Sequence, residues 1–172
     1  MKCNINSQKG ANRVKIGIIS DSHDNIINIK KAVSIFNANE VGLVIHAGDY
    51  VAPFSIAPLD DLKCDYVGVF GNNDGEKNGL IKKSQGKIRP QPYIFEFQGK
   101  QIYVIHEPDN LDALINSQNY DIIIYGHTHQ YVIESHDKTM VINPGECCGW
   151  VTEKASIAIV ELDDMNARIV DL

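Results

Sequence analysis

The residues able to do chemistry sit at the ends of apolar runs. The densest group is Asp121-Ile-Ile-Ile-Tyr125-Gly126-His127-Thr128-His129. Four apolar residues read as a buried strand, and a glycine then allows a tight turn. Two imidazoles follow at i and i+2. If the segment stays extended, both rings point the same way and can grip one metal ion or two neighbouring ones. Other apolar runs end in Asp21-Ser22-His23, His46-Ala47-Gly48-Asp49, Gly71-Asn72-Asn73-Asp74 and His106. Taken singly, each has a plainer reading: Asp21 and His23 as a helix cap, Asp49 as a turn residue. Together, Asp21, His23, Asp49, Asn72, His106, His127 and His129 offer hard oxygen and imidazole nitrogen without thiolate. That mixture suits manganese, iron, nickel, cobalt or catalytic zinc, and fits neither calcium nor structural zinc. Seven donors are more than one ion in an open site takes from protein, so two ions sharing a carboxylate would use them all.

Elements that could position these donors follow in order. Residues 14–20 read as a strand, and Asp24 or Asn25 caps a helix whose apolar face is Ile26, Ile29, Val33 and Phe36. Residues 41–45 read as a second strand, which suggests a parallel pair with a right-handed crossover. Residues 51–63 read as helical, although Pro53 and Pro58 blur the start. A third strand covers 64–70, and 76–91 reads as a loop or marginal helix. Hairpins are predicted for 93–97 with 101–105, for 131–134 with 140–142, and for 156–161 with 167–170. A short helix carries Leu111, Leu114 and Ile115 behind a cap at Asp109 or Asn110. In open α/β sheets ligands collect at the carboxyl ends of strands, where these donors fall.

Length and composition set limits. The chain has 172 residues, enough for one well-cored domain, and residues 1–13 read as a disordered tail ahead of a single domain at 14–172. Apolar content of 44% and charged content of 22% are ordinary for a soluble protein. No apolar run approaches a membrane span, and no signal peptide opens the chain. A net charge of −6 argues against a nucleic-acid partner, and leaves a small phosphate ester as the expected one. Self-association is left open. Cys3, Cys64, Cys147 and Cys148 lack CxxC spacing, so a reduced, cytoplasmic protein is expected. Cys147 and Cys148 read as loop structure. His46 reads as a packed histidine and His136 as a solvated one. Lys77, Lys82, Lys83, Lys87 and Arg89 read as a solvated face, with guidance of an anionic substrate as the other reading.

The set Asp21-Ser-His23, Gly48-Asp49, Gly71-Asn72-Asn73-Asp74, His106 and Gly126-His127-Thr-His129 resembles the calcineurin-like metallophosphoesterase family. The motifs run in order from about residue 14 to the last hairpins, and size and the Asn143-Pro-Gly145 turn resemble the family's small microbial phosphodiesterases. The resemblance implies an α/β (α+β) fold, a four-layer αββα sandwich of two mixed sheets flanked by helices. It implies two divalent ions, manganese first and nickel, iron, cobalt or zinc as alternatives. Asp21, His23 and His129 would bind one, Asn72, His106 and His127 the other, and Asp49 would bridge. A hydroxide between ions ~4 Å apart would attack phosphorus in line.

Two departures from the family pattern matter. Asn73 stands where many members have a histidine that protonates the leaving oxygen. An amide donates a hydrogen bond but no proton, so good leaving groups are favoured, and Asp74 would orient the loop. Glu107 stands where glycine is usual and would either point away, add a ligand or compete with substrate phosphate. The resemblance therefore implies a metal-dependent phosphodiesterase. The alternative is a protein-binding scaffold of the same fold with little or no catalysis, as in a retromer subunit.

Overall fold

The computed structural model describes residues 14–172; the predicted tail and Cys3 lie outside them. Strand β1 (Lys15–Ile19) pairs in parallel with β2 (Leu43–His46) across helix α1 (Ile26–Ala38). The helix is capped by Asn25, whose side chain accepts the Asn28 N–H at 3.2 Å. Within the stretch 51–63 that reads as helical, the helix is a 3-10 helix, Pro53–Asp61. Pro53 opens it and Pro58 sits inside it, and a proline withholds the donor an α-helical turn needs. Strand β3 (Asp65–Val69) follows, then α2 (Lys77–Lys83) and β4 (Ile88–Arg89). Two-turn α2 has no legible period because only Leu80 is buried from it.

Strands β5 (Tyr93–Phe97) and β6 (Lys100–Val104) form the first hairpin, and helix α3 (Leu111–Ser117) leads to β7 (Ile122–Ile124). Strands β8 (Tyr131–His136) and β9 (Thr139–Pro144) form the second hairpin, and β10 (Ser156–Glu161) with β11 (Asn166–Asp171) the third. The strands sort into two mixed sheets, one of order β11-β10-β1-β2-β3-β4 and one of order β5-β6-β7-β9-β8. The first is closed on one side by β10 running antiparallel to β1.

Alternation along the strands explains the layers. Ile16 and Ile18 of β1, and Leu43 and Ile45 of β2, meet Ile102, Val104, Ile122, Ile124, Met140 and Ile142 between the sheets. Ile19, Val44, Ile157 and Ile159 point outward and pack under α1 and the 3-10 helix. Ile123 and Val141 point outward from the second sheet, against Leu111, Leu114 and Ile115 of α3. Gly17 is needed for close approach, since a Cβ there would meet the Phe36 ring at 2.5 Å. Helices, sheet, sheet and helix make the four layers.

Candidate metal centre

All seven predicted ligands lie where strands of the two sheets give way to loops. Asp21 and His23 follow β1, Asp49 follows β2, and Asn72 follows β3; His106 follows β6, and His127 and His129 follow β7. Two glycines let the loops meet. A Cβ on Gly126 would overlap the Ser20 hydroxyl, and one on Gly71 would overlap the Asp49 carboxylate.

The donors gather in two groups with Asp49 between them. Asn72 Oδ1 is 2.9 Å from His106 Nε2 and 3.0 Å from His127 Nδ1. Asp21 Oδ1 is 3.4 Å from His129 Nε2 and 3.9 Å from His23 Nε2. Asp49 Oδ2 lies 3.3 Å from His106 Nε2 and 3.5 Å from His23 Nε2, one ring from each group. The rings of His23 and His129 stack with centroids 5.3 Å apart.

The segment after β7 is not extended. His127 and His129 both have positive φ, 68° and 61°, and Thr128 N–H closes a turn on the Gly126 carbonyl at 2.7 Å. The two rings therefore diverge to different groups. Asp21, His23 and Asp49 also adopt positive φ, a conformation that costs energy and clusters at functional sites.

Electrostatics favour a cation here. Asp21 is fully buried, its Oδ1 has no hydrogen-bond partner, and burial pushes its pKa up. His23 Nε2 is likewise buried and unpartnered. Burial works against ionised Asp49, yet hydrogen bonds from His106 and Asn73 hold its carboxyl well below the usual range. His106 Nδ1 donates to the Ala47 carbonyl at 2.8 Å, which leaves Nε2 facing two oxygens. A lone pair facing two acceptors is repulsive unless a proton or a metal ion intervenes. Burial disfavours the protonated ring, but the Asp49 hydrogen bond and the charges of Asp21 and Asp49 raise the His106 pKa. Orphaned buried oxygen and nitrogen, an excess of acceptors and a mixed O/N donor set all fit divalent ions.

The surrounding residues have assignable tasks. Asp74 accepts N–H bonds from Asp49 (3.2 Å), Gly71 (2.8 Å) and Val51 (2.7 Å), tying the loops after β2 and β3 together. Asn73 donates its backbone N–H to Asp49 Oδ1 at 2.8 Å and its amide to Asp49 Oδ2 at 2.7 Å. His46 is packed: it stacks on Tyr50 at 3.8 Å, and burial lowers its pKa to about 3, so the ring is neutral. Glu107 points toward Gln91, accepting its amide at 3.2 Å, while Gln91 Oε1 accepts the His106 N–H. His136 pairs at the surface with Glu134 at 3.0 Å, and it ends β8 rather than lying in the turn. Lys83 pairs with Asp60 and Lys87 with Asp65, as a solvated face would.

Sequence reasoning missed Glu146. It is fully buried, and its Oε2 accepts His129 Nδ1–H at 2.7 Å, fixing which nitrogen faces Asp21. Against the cost of burial, hydrogen bonds from Cys148, His129 and Thr152 hold its pKa to about 2. The one available signal was its place right after Asn143-Pro-Gly145. Cys148, read as loop structure, has its sulfur within 4.8 Å of a donor nitrogen on each of His23 and His129. Its thiol donates to Glu146 at 3.0 Å.

A phosphodiesterase of Methanocaldococcus jannaschii is 40% identical over 166 residues, covering 92% of this chain and 99% of its own. The Escherichia coli phosphodiesterase YfcE is 26% identical over 149 residues, covering 77% and 78%. Among solved structures, an archaeal phosphodiesterase superposes with a TM-score of 0.86 at 38% identity, over 92% of this chain and 100% of that one. Vps29 of Chaetomium thermophilum shares the fold, with a TM-score of 0.68 at 16% identity over 95% and 96%. The family described as the calcineurin-like phosphoesterase superfamily domain matches residues 14–165, and the chain belongs to that superfamily.

Proposed function

We propose that residues 14–172 form a single catalytic unit, a binuclear metal-dependent phosphodiesterase acting on a small phosphate diester. The observation that carries this reading is the gathering of seven donors from both sheets into two groups that meet at Asp49, with Asp21 Oδ1 and His23 Nε2 left unpartnered. Asp21, His23 and His129 would hold the first ion, Asn72, His106 and His127 the second, and Asp49 would be shared. Manganese is the first choice, with nickel, iron, cobalt or zinc as alternatives, for a set of three oxygen and four imidazole donors. Two bound dications supply an activated water and offset charge on the phosphoryl oxygens.

The chain's own residues do the rest. Glu146 and the Ala47 carbonyl hold the His129 and His106 rings by their outer nitrogens. Asp74 holds the loops that carry Asp49 and Asn72. An amide has two N–H donors; one on Asn73 is taken by Asp49, and the other serves the leaving oxygen. Lacking a proton to give, Asn73 favours esters whose alcohol leaves unprotonated. Among the described residues no helix is long and apolar enough to cross a membrane. Cys64, Cys147 and Cys148 are free thiols, which supports a reducing, cytoplasmic setting.

The test is hydrolysis of bis(p-nitrophenyl) phosphate by protein stripped with a chelator and reloaded with manganese. Turnover absent after stripping and restored by manganese is the expected result. Tight manganese binding with no turnover on any diester would instead favour the protein-binding scaffold, a reading the shared Vps29 fold keeps in view.

A further inference from the structure

A phosphate ester held by the metal centre must lay its organic group against one of the flanking surfaces. Beside the first donor group, a groove of about 290 Å³ has His129 in its lining. Its lining is Gln130, Tyr131, Thr152, Lys154 and Ser156. That volume is near the lower end for small-molecule pockets, roughly 300 Å³. Three of these side chains are free to meet a ligand. Tyr131 is 56% exposed although it opens a strand, where it pairs with Pro144. Its backbone is therefore fixed while its ring stays bare. Gln130 is exposed beside the ligand histidine. Lys154 is exposed, and among the described residues its ammonium has no carboxylate partner, unlike Lys83 and Lys87. Thr152 and Ser156 are engaged, by Glu146 and by the Pro144 carbonyl.

We propose that this groove is a nucleoside subsite, and that the ester arm retained on the phosphate is a heteroaromatic base with its sugar. This rests on the metal-centre reading above. An exposed tyrosine face offers stacking to a flat ring, which an alkyl chain would use poorly. A glutamine amide places a donor and an acceptor side by side, the pairing that a purine edge presents. Lys154 adds attraction for the anion as a whole. Glu153 and Asp171 line the next groove outward, past Tyr131 and Lys154. Two carboxylates there repel a second phosphate, which limits the arm to one nucleoside.

The experiment is calorimetric titration of the manganese-loaded protein with adenosine 5′-monophosphate and with ribose 5-phosphate, which differ only by the base. The wild type is expected to bind the nucleotide about tenfold more tightly, as one stacked base allows. Tyr131→Leu, which keeps a strand-compatible residue, and Gln130→Ala are each expected to shrink that ratio and leave ribose 5-phosphate affinity unchanged. Lys154→Gln is expected to weaken both ligands by a similar factor. Equal affinities in the wild type, or a ratio that survives Tyr131→Leu, overturns the subsite while leaving the metal centre standing. Failure of both phosphates to bind the loaded protein overturns the metal-centre reading and the subsite with it.

Discussion

Replacing Glu146 by glutamine probes the centre through a residue that binds no ion in the proposed scheme. Oε2 receives His129 Nδ1 and the Cys148 thiol, at 2.7 and 3.0 Å. Oε1 receives the N–H groups of Val151 and Thr152 and, at 2.7 Å, the Thr152 hydroxyl. Every neighbour donates, so a glutamine NH2 must face a donor whichever way it is turned. The folded carboxyl has a pKa of about 2 against an ordinary 4.5, because those hydrogen bonds outweigh the cost of burial. The difference corresponds to about 3 kcal/mol of stability. A depressed carboxyl contributes fully above its unfolded pKa, and the contribution is lost as pH falls from about 4.5 toward 2. The stability advantage of metal-free wild type over Glu146→Gln, measured by urea denaturation, should therefore shrink by about 2.5 kcal/mol between pH 6 and pH 2.5. In addition, a freed His129 ring should weaken binding of one manganese equivalent by about 10–100-fold, read by calorimetry. A variant that binds both equivalents within twofold of wild type would refute the claim that Glu146 positions His129.

Other outcomes follow from single contacts. Asp21 is buried with its pKa raised, so its ionised form costs the metal-free protein stability as pH rises above the unfolded value of 3.8. Metal-free Asp21→Asn should accordingly melt at or above the wild-type temperature at pH 7.5 yet show a smaller rise in Tm with manganese, because only the second group of donors stays intact; a rise as large as in wild type would contradict its ligand role. Across aryl diesters, log kcat should fall as leaving-group pKa increases, and Asn73→His should flatten that slope; identical slopes would remove Asn73 from the leaving-group side. Because Glu107 is turned to Gln91, Glu107→Gly should change kcat/KM by less than about threefold. A large gain would mean the carboxylate competes with substrate.

What could be read from the order of residues was whatever nearby chemistry decides. The β1–α1–β2 opening, the three hairpins and the donors at strand ends each follow from local alternation, caps and turns. The separation of two donor groups depends on tertiary folding: His127 and His129 meet Asn72 and Asp21 only after the chain has crossed from one sheet to the other. Positive φ at both histidines comes from the turn closed by Thr128, which an i, i+2 pattern cannot reveal. Helix α2 was legible only as a loop or marginal helix, because its single buried residue, Leu80, gives no period. Glu146 escaped because its task is set by a ring 17 residues earlier and by loop N–H groups that follow it.

The proposed ligands are divided between two sheets: Asp21, His23, Asp49 and Asn72 ride on one, and His106, His127 and His129 on the other. The spacing between the two donor groups is thus governed by how the isoleucines sandwiched between the sheets interlock, from Ile16 and Ile18 to Ile122 and Ile124. A methyl group removed from that layer, far from any phosphate, would let the two halves of the catalytic gauge drift. Turnover should then decay on warming well before the chain melts.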